Sequence, residues 1–125
     1  MLSNEPCYCG APLPFSDCCE PLILGKKKAE SAEQLMRSRY SAYATLAVDY
    51  ILDTTHASTK KYYSKKAIRD WALENKWLKL ELHATTPTTV DFSAHFEDQK
   101  GISGVHTEHS TFLNENGTWY FVDGE

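Results

Sequence analysis

The chain has 125 residues, enough for one domain with a proper hydrophobic core and a small appendage. Apolar residues make up 42% and charged residues 24%, as in an ordinary folded protein, and no apolar run approaches the ~20 residues of a membrane-spanning helix. The net charge of −4 argues against nonspecific nucleic-acid binding as a main activity, and the short runs Lys26-Lys27-Lys28, Lys60-Lys61 and Lys65-Lys66 read as solvated surface.

The opening residues lack a basic n-region and an apolar h-region, so the sequence predicts no export signal and a cytoplasmic protein. Residues 1–20 form a cysteine module: Cys7-Tyr8-Cys9, a loop rich in turn formers, then Cys18-Cys19. No cysteine occurs after Cys19. Two tight pairs flanking a short loop suit a tetrahedral ion about 2.3 Å from each sulfur. The expected cofactor is one structural zinc ion per chain, held by Cys7, Cys9, Cys18 and Cys19. Four thiolates would close the shell, whereas a catalytic zinc usually keeps a position for water. Cross-paired disulfides or redox chemistry are the rival reading, disfavoured in a reducing compartment.

Residues 21–30 read as a connector to a domain over residues 31–125. Ser31 is a helix N-cap with Gln34 at the capping-box position. Leu35, Met36, Tyr40, Tyr43, Leu46 and Ala47 then follow helical spacing. A second short helix is expected over 48–52 and a third over 67–75, with Ile68, Trp71 and Ala72 inward. The period then changes to two. Leu78, Leu80, Leu82 and Ala84 are expected on one face of a first strand. Val90, Phe92, Ala94 and Phe96 share a face of the second. A long strand over 102–113, an Asn-Gly hairpin signal at Asn116-Gly117 and a last strand over 118–123 complete a four-strand antiparallel meander. Helices followed by a meander predict an α+β fold with the helices on one face of the sheet.

Arg39 interrupts the apolar stripe of the first long helix. A charge there calls for a buried partner, and Glu108, mid-strand and alternating with His106, Ser110 and Phe112, is the carboxylate nominated. The polar candidates for a cavity site are Arg37, Arg39, Tyr40, Tyr43, His56, Glu108 and Ser110. His83, His95 and His109 read as surface strand residues.

The pattern Cys7-x-Cys9-Gly10-x₇-Cys18-Cys19 resembles the SEC-C motif, named for the zinc-binding tail of the SecA motor. Leu35-Met36-Arg37-Ser38-Arg39-Tyr40-Ser41-Ala42-Tyr43 resembles the YchJ-like bacterial proteins, in which a SEC-C motif precedes such a segment. Further matches are Thr55-His56-x-Ser58-Thr59, Glu108-x-Ser110-x-Phe112 and Trp119-Tyr120-x-Val122-Asp123-Gly124. The resemblance implies an NTF2-like, cystatin-like second part, with three helices cupped by a curved four-strand sheet around a conical cavity. Tyr8, Ala11 and Phe15-Ser16-Asp17 stand where the motif usually has Pro, Ser and lysines, so the basic surface of the SecA-type tail is missing.

An NTF2-like fold hosts enzymes, binders and interaction modules alike. One reading is a non-catalytic adaptor whose zinc knuckle presents Tyr8, Leu13 and Phe15 to a partner protein. The alternative is a small-molecule site in the cavity, for binding or for hydrolase- or isomerase-type chemistry. A filled cone with Arg39 paired to Glu108 would favour the adaptor; an open pocket lined by unpaired Arg39, tyrosines and histidine would favour the ligand. The knuckle is expected to be peripheral to the main domain's cooperative unfolding.

Overall fold

A computed structural model describes residues 6–125; the opening segment read for an export signal lies, apart from Pro6, outside the described residues. A 3-10 turn at Phe15–Asp17 and a short helix α1 (Glu20–Ile23) precede α2 (Ala32–Thr45), α3 (Val48–Asp53), α4 (Ala57–Lys60) and α5 (Lys65–Glu74). Four strands follow: β1 (Lys76–Thr85), β2 (Thr89–Glu97), β3 (Ser103–Glu115) and β4 (Thr118–Gly124). They form one antiparallel meander in the order β1-β2-β3-β4. The α+β class and the four strands are as expected. Among the described residues the helix count is five rather than three, because α1 and α4 are single turns too short to show a 3.6-residue period.

Local chemistry sets the helix ends. Ser31 Oγ accepts the Gln34 N–H at 3.0 Å, while the Gln34 carboxamide accepts the Glu30 N–H at 2.7 Å. The first bond satisfies a donor that the first turn leaves without a partner, and the second ties the residue before the N-cap to the helix. Leu46 ends α2 with φ 62°, a left-handed conformation usually left to glycine, and its neighbour Ala47 donates its N–H to the Ala42 carbonyl. That tight stop turns the chain into α3. His56 caps α4 and Ser64 caps α5, each accepting a backbone N–H on its side chain.

The main core joins one face of α2 to the inner face of the sheet. Leu35, Met36 and Tyr40 pack against Val90, Phe92, Ala94, Phe112 and Phe121. The expected face of β1 is only half right. Irregular pairing between Trp77 and Lys79, and again between Leu82 and Ala84, shifts the alternation. Trp77, Leu80 and Leu82 pack against the core, while Leu78 is 48% exposed and Ala84 is also outside. The connector after α3 is tied to β4 by His56 N–H to Phe121 O and Phe121 N–H to Thr54 O, both 2.8 Å. No helix of the described residues is long and apolar enough to cross a membrane.

Candidate functional site

Two sites flank α2. The first is the cysteine knuckle. Gly10 takes φ 87°, which lets the loop after Cys9 double back, and its N–H bonds the Cys7 carbonyl at 3.1 Å. Cys7 N–H bonds Leu13 O at 2.9 Å, and Cys18 N–H bonds Phe15 O at 3.1 Å. The four sulfurs all lie within 4.8 Å of one another, and no cysteine is in a disulfide. Cys9 and Cys18 are 3.7 Å apart, Cys18 and Cys19 3.9 Å. An ion bonded at about 2.3 Å to four tetrahedral thiolates imposes sulfur separations of about 3.8 Å. The donor set therefore fits a metal ion.

Protonation points the same way. Cys7 is pulled well below the usual thiol range, foremost by a hydrogen bond with Cys19 and then by one with Cys9. Cys19 is pushed far up by its hydrogen bonds with Cys7 and then Cys9, and burial first, then the charge of its neighbours, pushes Cys18 up to about 12. Thiols this crowded share their charge, and a cation is what lets all four ionise together.

The knuckle is not a loose appendage. Cys9 and Cys19 are buried, and Ile23 and Leu80 pack against the sulfur cluster. Arg37 turns towards it: Nη1 donates to the Cys9 carbonyl at 2.9 Å and Nε to Glu33 at 3.1 Å. Cys7 Sγ sits 3.6 Å from the fully buried Ser41 hydroxyl. The proposed partner surface is smaller than the sequence suggests. Phe15 is inside the knuckle, 8% exposed, with Tyr8 edge-on at 5.2 Å; Tyr8 and Leu13 keep 38% and 48% of their surface.

The second site is a cavity of about 140 Å³ between α2, α5 and the inner face of the sheet. Arg39, Tyr40 and Tyr43 reach it from α2, Trp71 from α5, and Tyr63 from the turn before α5. His106, Glu108 and Ser110 line it along one face of β3. Opposite them on β2 stand Ala94, Phe92 and Val90. Arg37 and His56 are not among its walls; His56 caps α4 and pairs with Glu115 at 3.1 Å.

Arg39 is only 6% exposed, yet no carboxylate of the described residues forms an ion pair with it. Its Nη1 donates to the Ile51 carbonyl and the Thr54 hydroxyl at 2.8 Å, and to the Thr55 hydroxyl at 3.3 Å. Its carbon centre lies 4.3 Å from the Phe121 ring centroid, a cation–π contact. Burial lowers the guanidinium pKa, opposed by Tyr43, Tyr50 and Glu108. The nominated ion pair with Glu108 is thus replaced by carbonyl and hydroxyl partners at the end of α3. Sequence reasoning had no way to see them, because they meet Arg39 only after the chain turns at Leu46 and is tied to β4.

Glu108 has partners of its own. His106 Nε2 contacts one carboxylate oxygen at 2.9 Å, and Ser110 Oγ donates to the other at 2.5 Å. Burial would lift the Glu108 pKa; the bonds from His106 and Ser110, with the charges of His106 and Arg39, hold it below its ordinary value. His106 is raised, chiefly by its bond to Glu108. The carboxylate also depends on Gly124, where a Cβ would fall 2.2 Å from Glu108 Oε2. Tyr63, Trp71 and Gly124 were not nominated from the sequence as site residues. The small residue at 124, cross-strand from Ser110, was the available signal. His83, His95 and His109 lie apart, paired respectively with Ser93, Glu81 and Asp91.

The comparisons with known proteins agree with this architecture. Residues 31–124 match the family model described as the YchJ middle NTF2-like domain. The chain belongs to the YchJ-like family. A UPF0225 protein of Geobacter sulfurreducens is 40% identical, with 94% of this chain and 77% of that protein covered. A Vibrio cholerae UPF0225 protein is also 40% identical, covering 95% and 82%. Among solved structures, a SEC-C motif containing protein from Rhodopseudomonas palustris superposes with TM-score 0.89 at 37% identity, covering 97% of this chain and 98% of that one. A second, from Psychrobacter arcticus, gives TM-score 0.79 at 31% identity, covering 98% and 84%. The YchJ-like fold here is an NTF2-like α+β domain with an N-terminal cysteine cluster able to hold a metal.

Proposed function

We propose that this YchJ-like protein binds a small molecule in the α2–sheet cavity, and that its knuckle holds one structural zinc ion that fixes the position of α2. The observation that carries the first part is Arg39. A buried guanidinium with bonded Nη1 and no ion pair among the described residues, in a cavity lined by tyrosines and His106, supports the reading of a polar group held ready for a ligand. The four-sulfur geometry supports the second. An adaptor role for the knuckle has less behind it, since Phe15 is packed inside and only Tyr8 and Leu13 remain outside.

Native mass spectrometry of protein purified from cells tests both parts. One zinc per chain and a retained small molecule, lost in Arg39→Met, are the expected result. Retention of a protein partner alone, lost in Tyr8→Ala/Leu13→Ala, would favour the adaptor.

A further inference from the structure

Which ligand would suit the cavity follows from three of its features. The first is the pair of opposite charges. Arg39 and Glu108 both line the space and are not joined to each other by an ion pair. Arg39 uses Nη1 for its protein partners. Its Nε and Nη2 make no hydrogen bond to a described residue, and no described side-chain N or O is sealed away without a partner. These two N–H edges are left over by the protein partners, and Arg39 lines the cavity. Glu108 accepts one bond on each oxygen and keeps a lone pair free on each.

The second feature is charge balance. An anion drawn to Arg39 would meet the ionised Glu108, and a cation drawn to Glu108 would meet Arg39. Burying an unbalanced charge costs several kcal/mol in such a site. A neutral ligand with an acceptor for Arg39 and a donor for Glu108 meets no such cost. The third feature is shape. Tyr40, Trp71, Trp77 and Phe92 make the walls largely aromatic. A dry cavity of about 150 Å³ holds a benzene ring, and this one measures about 140 Å³.

We infer that the cavity takes a neutral, single-ring heteroaromatic lactam of the pyridone or pyrimidinone type. The ring stacks among the aromatic walls, its C=O accepts from Arg39, and its adjacent N–H donates to Glu108. This rests on the reading of the cavity as a ligand site.

The test titrates the metal-loaded protein with four probes, 2-pyridone, N-methyl-2-pyridone, benzoate and toluene, following the Trp71 and Trp77 indole signals by NMR. The expected result is that 2-pyridone binds at least about tenfold tighter than N-methyl-2-pyridone, which lacks the donor for Glu108. It should also exceed benzoate and toluene. Glu108→Leu, which removes the acceptor, should erase the preference over the N-methyl analogue, with folding checked by circular dichroism. Toluene or benzoate equalling 2-pyridone would overturn the lactam assignment and leave the cavity as a ligand site. No shift with any of the four would overturn both.

Discussion

The knuckle and the cavity sit against different faces of the same helix and handle buried polar groups in opposite ways. In the knuckle, polar atoms turn towards one another: the sulfurs converge within 4.8 Å, and Arg37 and Ser41 of α2 attach to their loop. In the cavity they are held apart. Arg39 is held by Ile51, Thr54 and Thr55, and Glu108 by His106 and Ser110. Convergent donors make a site for a bare ion, which supplies the missing charge. Separated and individually supported groups make a site for a molecule with polar edges of its own.

The largest test of this contrast is metal removal. Because Ser41 and Leu80 belong to the main domain and touch the cysteine cluster, the loss should spread beyond residues 6–20. Cys18→Ser/Cys19→Ser is expected to abolish one equivalent of bound zinc. It should lower stability by on the order of 5 kcal/mol, roughly 20 °C in melting temperature. An unchanged calorimetric transition would show that the knuckle is energetically separate.

Next in size is the pair of α2 arginines. Arg39→Ala removes a buried cation with three protein hydrogen bonds and an aromatic contact, and should cost about 3 kcal/mol in denaturant unfolding. The Ile51 carbonyl still accepts from Thr54 and Thr55, so no buried acceptor is stranded. Arg37 is partly exposed, and screening limits Arg37→Ala to about 1 kcal/mol. Equal costs would erase the distinction between the two faces of the helix.

Gly124→Ala perturbs the cavity alone. Its new methyl would press on a carboxylate fixed at both oxygens, so a loss of about 1–2 kcal/mol is expected, with zinc content unchanged. The smallest effect is electrostatic. Glu108 is held below its ordinary 4.5, so its contribution is present above that pH and fades as the pH falls through the lowered value. His106 is held above its ordinary 6.5, so its contribution is full below 6.5 and fades as the pH rises through the raised value. The pair is strongest between about pH 4.5 and 6.5. NMR titration should show the His106 midpoint dropping in Glu108→Gln; an unmoved midpoint would remove the bond that props up the carboxylate.

The sequence by itself determined the elements whose signals are local. The four cysteines announced their own cluster because a metal site needs donor types at short spacing. Ser31 and Gln34 marked the start of α2, and alternation over β2 marked its buried face. Arg39, Tyr40, Tyr43, Glu108 and Ser110 could be nominated because polar groups inside apolar patterns stand out. Only the tertiary structure decided what those groups touch. Irregular pairing in β1 turned Leu78 outward and Trp77 inward, although the alternation in the sequence runs unbroken. Arg37 and Arg39, two residues apart on one helix, went to different sites because successive helical positions differ by about 100°. Arg39 found carbonyl and hydroxyl partners at the end of α3 instead of Glu108, because a backbone tie to β4 holds Thr54 and Thr55 beneath it. Such contacts depend on where separate elements meet, and sequence spacing carries no record of that.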